Sequence, residues 1–169
     1  MGEHDDEAGN THTGKRRTQA DRVGEQAQWQ PGGRALPAGA HYGHAVVTED
    51  RIIQGMLRGA TPLAAGDWAE RTGLSDVPPP GSDWGEWARQ VQVDLPRLRA
   101  YAQAVYAATD AWLATLSMAD LQREMDFSAL GVGRQPMSFL VNVTLLNAVA
   151  HCGEISCLKG LQGEKGYPM

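Results

Sequence analysis

Apolar positions in this chain gather into three helical runs separated by polar or Pro- and Gly-rich links. Val46, Ile53 and Leu57, joined by Ile52 and Met56, predict a first long helix from about Ala38 to Arg58, with Gly59 as its stop. A second series, Trp87, Val91, Leu95, Leu98, Tyr101, Val105, Ala108, Trp112 and Leu116, steps by three and four residues after a capping-box-like start at Asp83 and Glu86. Pro96 interrupts that series and should kink or split the helix, because its ring removes a backbone donor and crowds the preceding turn. The third run starts at Pro136, suited to a first helical position, and continues to about Lys159, where Gly160 ends it. Its spacing puts Leu140, Thr144, Asn147, His151, Ile155 and Leu158 on one stripe.

Between these runs the pattern weakens. A short helix is expected around Gly66 to Arg71, and Val77-Pro78-Pro79-Pro80-Gly81 is stiff and non-helical. This connection is long enough to run over a bundle or form a lid, with Trp68 to dock it. Leu121 to Arg134 reads as a loop with an extended piece, and Leu161 to Met169 as a tail. Residues 1–28 hold almost no large aliphatic side chain, which predicts a poorly ordered arm with a short helical segment at Ala20 to Gln28. Residues 29–169 form the expected domain. Three apolar-faced helices with few convincing strands predict an all-α, up-and-down bundle.

Composition narrows the function. The 169 residues carry 15 Lys and Arg against 20 Asp and Glu, a formal net charge of −5, so no broad basic surface faces nucleic acid or an anionic membrane. The start MGEHDDEAGN lacks the apolar core of a secretory leader, which makes a cytoplasmic location the expectation. The longest apolar stretch, Phe139 to Ala150, is interrupted by Asn142, Thr144 and Asn147 and is short for a bilayer. Cys152 and Cys157 would point about 140° apart on a helix, so neither a local disulfide nor a metal pair is implied. No Gly-x-Ser-x-Gly, phosphate-binding loop or dinucleotide fingerprint is present.

Candidate chemistry therefore rests on histidines. His151 lies on the inward stripe of the last helix, and Asn147 sits one turn earlier, where a His-x-x-x-His pair would supply two metal ligands. His41 and His44 occupy adjacent turns of the first long helix, His41 nearer the apolar flank and His44 nearer its edge. Spacing does not choose between them. The competing reading is a core histidine hydrogen-bonded to Asn147 or Thr144. The aromatic residues at 84, 87, 101, 106 and 112 read as core.

Ala40-His41-Tyr42-Gly43-His44, then Thr48-Glu49-Asp50, and His151-Cys152-Gly153-Glu154-Ile155 running into Leu158-Lys159-Gly160-Leu161-Gln162-Gly163 together resemble the two signature helices of the DinB-like (DinB/YfiT) superfamily of small helical metalloproteins. The resemblance covers about Trp29 to Pro168 and implies an up-down-down-up four-helix bundle whose first helix is weak or missing here. It implies a divalent metal, zinc or nickel, held by His44, Asn147 and His151, with Glu49 at the acid position and Asn147 standing where a second histidine is expected. An amide oxygen is the weaker ligand for either metal. It further implies a homodimer and a thiol-dependent transferase that joins a low-molecular-weight thiol to a small electrophile. The alternative is a degenerate, non-catalytic bundle that binds a small molecule or a protein.

Overall fold

The computed structural model describes residues 18–78 and 84–167. Helix α1 (Gln19–Gln28) opens on a reciprocal capping box, in which the Thr18 hydroxyl accepts from the Asp21 backbone N–H and the Asp21 carboxylate accepts from that of Thr18. The short helix expected at 20–28 thus forms, beginning one residue earlier; residues 1–17 of the expected poorly ordered arm lie outside the described part. Polar ties hold it across the chain: Gln26 Nε2 donates to Glu164 Oε1 (3.0 Å), and Gln162 Nε2 donates to the Gln26 carbonyl (3.2 Å).

Helix α2 (Ala38–Asp50) runs without a break into a π-helical segment, Arg51–Leu57, and Gly59 turns the chain with φ +65°. Asp50, fully buried at the junction, anchors the connection after it. Its carboxylate accepts from the backbone N–H groups of Leu63 and Ala64, each at 2.9 Å, and from the Tyr101 hydroxyl at 2.8 Å. These contacts satisfy the exposed end of a short 3-10 turn, Leu63–Ala65. The helix expected at 66–71 is absent; that stretch is a chain of turns, with Glu70 at φ +59°. Trp68 does dock, its ring 5.9 Å from that of Tyr101.

The long aromatic run is split, as Pro96 requires. Helix α3 (Trp84–Gln90) stops, Val93 bridges to Leu74, and α4 (Leu95–Leu113) starts with the Asp94 side chain accepting from the Arg97 N–H and Pro96 in the first turn. Asp83, expected as the cap, lies outside the described residues. Gly73, at φ +80°, lets the bridging strand lie against α4: a β-carbon there would sit 2.3 Å from the Leu98 nitrogen.

Helix α5 (Met118–Gln122) leads into a two-stranded antiparallel hairpin, β1 (Glu124–Asp126) and β2 (Arg134–Pro136), in place of the expected loop with an extended piece. Helix α6 (Met137–Leu161) begins one residue after Pro136 and passes through Gly160, which therefore does not end it; Gly163, at φ +78°, turns the chain instead.

Helix α6 packs mainly along α2. Its stripe is buried at Leu140, Thr144, His151 and Leu158 and half-buried at Asn147 and Ile155, as the spacing predicts. Two apolar clusters form the core. One joins α2, α3 and α4 through Val46, Val47, Trp87, Leu98, Tyr101 and Val105; the other joins the π segment to the hairpin region and the start of α6 through Ile53, Leu57, Phe127, Met137 and Leu140. The opposite face of α6 is exposed at Leu145, Leu146 and Val149 (62, 67 and 59 %). By length and composition alone α6 is apolar enough to cross a membrane.

Candidate metal centre

Helical periodicity on two packed elements builds the site. His41 and His44 lie three residues apart on α2, so both project from the same flank; His151 comes from the buried stripe of α6, and Glu154, one turn later, from its edge. The packing of α2 on α6 brings three donors together. His41 Nδ1 lies 3.1 Å from His151 Nδ1, and Glu154 Oε2 is 2.8 Å from the first and 2.5 Å from the second. Both imidazoles are buried, whereas the glutamate side chain is 49 % exposed and forms the outer edge.

His44 takes a different role. Its ring stacks on the Trp84 indole, with centroids 4.3 Å apart and planes inclined by 22°, and stands edge-on to His151 at 5.0 Å. His44 Nε2 lies 3.4 Å from the Thr48 hydroxyl, but buried His44 Nδ1 has no protein partner among the described residues. Neither has Asn147 Nδ2, also buried. Trp84 meets His41 and His151 edge-on as well, at 5.3 and 5.5 Å, so one indole covers three imidazoles.

Burial sets the electrostatics. It depresses the His44 pKa to about 4, with His151, His41 and Arg51 adding repulsion for a proton. Burial also lowers His41, against the pull of Glu154. Neutral imidazoles suit metal ligation, which requires an unprotonated ring nitrogen. Glu49 does not join the group; burial pushes its carboxyl pKa up, and the nearby Asp110 and Asp50 carboxylates add to the rise.

The donor set fits a divalent metal. Two imidazole nitrogens and one carboxylate oxygen, all within 4.8 Å of one another, form the His, His, Glu combination used by open zinc sites and by two-histidine, one-carboxylate centres. The unpartnered nitrogens of His44 and Asn147 give the surroundings polar capacity that the fold leaves unused. The trio of His44, Asn147 and His151 that the family resemblance implies is thus only partly the trio that converges here. His151 belongs to both, and His41, left open against His44, supplies the second imidazole. Glu154 has no role in the trio that the resemblance implies, although its place three residues after His151 is itself a signal, since that offset puts two side chains within reach on one helix face. Nothing in the sequence pattern foreshadows Trp84, whose position depends on how α3 folds back.

Comparison with known proteins bears on family and fold. The chain matches the DinB superfamily over residues 20–155 and belongs to that family. Among solved structures it is similar to a conserved protein from Enterococcus faecalis, with a TM-score of 0.66 and 22 % identity over 79 % of each chain, a likeness of fold. No curated protein matches it.

Proposed function

We propose that the protein is a divalent-metal-binding member of the DinB superfamily, with α1, α2, α4 and α6 as an up-down-down-up four-helix bundle. The observation that carries the reading is the meeting of His41, His151 and Glu154 at mutual distances of 2.5 to 3.1 Å. Tetrahedral ligands about 2.0 Å from zinc stand roughly 3.3 Å apart, so the group needs to open by less than about 1 Å to hold one. His44 and Asn147 flank it as further ligands or as partners of a bound water.

When bound, zinc or nickel supplies a Lewis acid that lowers the pKa of a coordinated thiol or water. The chain's own residues orient and desolvate. Trp84 shields the imidazoles from solvent, and Glu154 at the rim can accept a proton from an arriving thiol. This supports thiol-dependent transfer to a small electrophile, with a low-molecular-weight thiol as co-substrate. The exposed leucines of α6 suit a homodimer.

A second reading, a non-catalytic binding module, draws on Asn147 and on the closed ring of contacts that Glu154 makes with both histidines. Metal analysis separates the two. After loading with zinc or nickel and dialysis, the protein is expected to retain one equivalent, His151→Ala and Glu154→Gln to lose at least tenfold in affinity, and Asn147→His to gain. His41→Ala should cost more than His44→Ala; the reverse order would favour the trio of His44, Asn147 and His151. Absence of stoichiometric metal in the unaltered protein refutes the metal reading. If metal is held but no thiol is consumed with a reporter electrophile such as monochlorobimane, the transferase reading fails alone.

A further inference from the structure

A cleft of about 380 Å³ opens between α1, the start of α2, the start of α4 and the end of α6. It is separate from the histidine cluster. Its wall includes Tyr42 and Ile155, which come directly after His41 and Glu154 in sequence and so point about 100° away around their helices. The volume is in the range of small-molecule sites, roughly 300–1,000 Å³. Val23, Ala27, Leu95 and Ile155 give it an apolar lining, and Arg99 and Lys159 bring two cations from α4 and α6.

Its charge runs against that of the chain. The protein carries a formal −5, yet this cleft holds Arg99 and Lys159 against one carboxylate, Glu164, whose Oε1 accepts from Gln26 Nε2. Lys159 Nζ lies 3.5 Å from the Gly166 carbonyl, at the outer limit of a hydrogen bond, which leaves its ammonium little engaged. Burial pushes the Tyr42 hydroxyl pKa up, and the neighbouring Tyr106 hydroxyl and the Arg99 guanidinium both oppose that rise.

We infer that this cleft binds a small amphipathic organic anion, its apolar body between α1 and Ile155 and its charged head at Arg99 and Lys159. An apolar lining with few convergent polar groups is the usual design of such sites, and guanidinium with ammonium selects an anionic head. This inference does not depend on the metal reading.

The test uses metal-free full-length protein with octanoate, octylammonium and 1-octanol as probes, titrated calorimetrically. Octanoate is expected to bind saturably, at least tenfold tighter than octylammonium and several-fold tighter than octanol. Arg99→Gln with Lys159→Gln should cost octanoate about tenfold and octanol almost nothing. Val23→Trp, which fills the cleft from the half-buried wall of α1, should weaken both while leaving thermal unfolding unchanged. Backbone amide shifts on octanoate binding are expected at Val23, Ala27 and Ile155. Equal affinity for the cationic and anionic probes, an unaltered octanoate affinity in the double variant, shifts centred elsewhere, or no saturable binding would each overturn the proposal.

Discussion

Replacing Asp50 with alanine tests how the connection between α2 and α3 is held. Three donors lose their acceptor at once: the Tyr101 hydroxyl, on a fully buried side chain, and the part-buried N–H groups of Leu63 and Ala64. A stranded buried donor costs about 1–3 kcal/mol, the upper part for the hydroxyl and the lower for amides that can reach water. The sum is about 4–5 kcal/mol, and relief from burying a lone carboxylate offsets roughly 1 kcal/mol, leaving about 3–4 kcal/mol. Against a typical domain stability of about 5–15 kcal/mol that is a large share. With a urea slope of about 2 kcal/mol/M, the unfolding midpoint should fall by roughly 1.5–2 M. Tyr101→Phe removes one donor and keeps the carboxylate satisfied by two others, so about 1–1.5 kcal/mol is expected. Asp50→Asn should fall between, because its amide group must face at least one N–H. Urea unfolding of the metal-free protein, followed by circular dichroism, gives the three values. Asp50→Ala within about 1 kcal/mol of the parent, or a cost for Tyr101→Phe exceeding that of Asp50→Ala, would refute the assignment.

Other expectations rest on the same geometry. Gly73→Ala should be among the most damaging single substitutions, by more than about 3 kcal/mol in urea unfolding, since φ +80° is combined with a β-carbon 2.3 Å from the Leu98 nitrogen and 2.6 Å from the Asp94 carbonyl oxygen. Acid should destabilise the metal-free protein through His44: its folded pKa of about 4 lies below the unfolded 6.5, so the unfolded chain takes up more protons between those values. Stability is therefore unaffected by this group above pH 6.5 and falls toward pH 4, by about 1–2 kcal/mol once partial exposure is discounted. His41 adds in the same direction and Glu49, raised by burial, opposes it, so the informative quantity is a smaller drop between about pH 7 and 4.5 in His44→Phe; an identical drop contradicts the assignment. If the exposed face of α6 is a homodimer contact, Leu145→Glu with Val149→Glu should shift sedimentation to the monomer without lowering its helical content.

What could be read from the letters was what depends on local periodicity. The α6 stripe from Leu140 to Leu158 is set by side-chain spacing on one helix, and its burial results once any partner covers that face. Pro96 likewise announces the break before α4 through its own ring. Helix α1 is harder to read, because Val23 and Ala27 offer little apolar surface and its anchors, Gln162 and Glu164, lie more than 130 residues away. The π-helical widening at Arg51–Leu57 leaves no compositional mark. In the site, His151 and the pair His41 and His44 were visible as candidates on helix faces. The choice between the pair rests on the packing of α2 against α6, which brings His41 to Glu154 and turns His44 toward Trp84.

The bonds from Gln26 to Gln162 and Glu164 make the chain topologically a near-closed ring. Closing a span of that length freely would cost on the order of 4 kcal/mol in entropy, so these ties persist only because the intervening helices have already docked. A circular permutant, with residue 167 joined to residue 18 by a short flexible linker and new ends cut in the hairpin turn near Gly131, should therefore fold to the same arrangement. Shortening the chain at residue 160 should instead release a helix at the opposite end of the sequence.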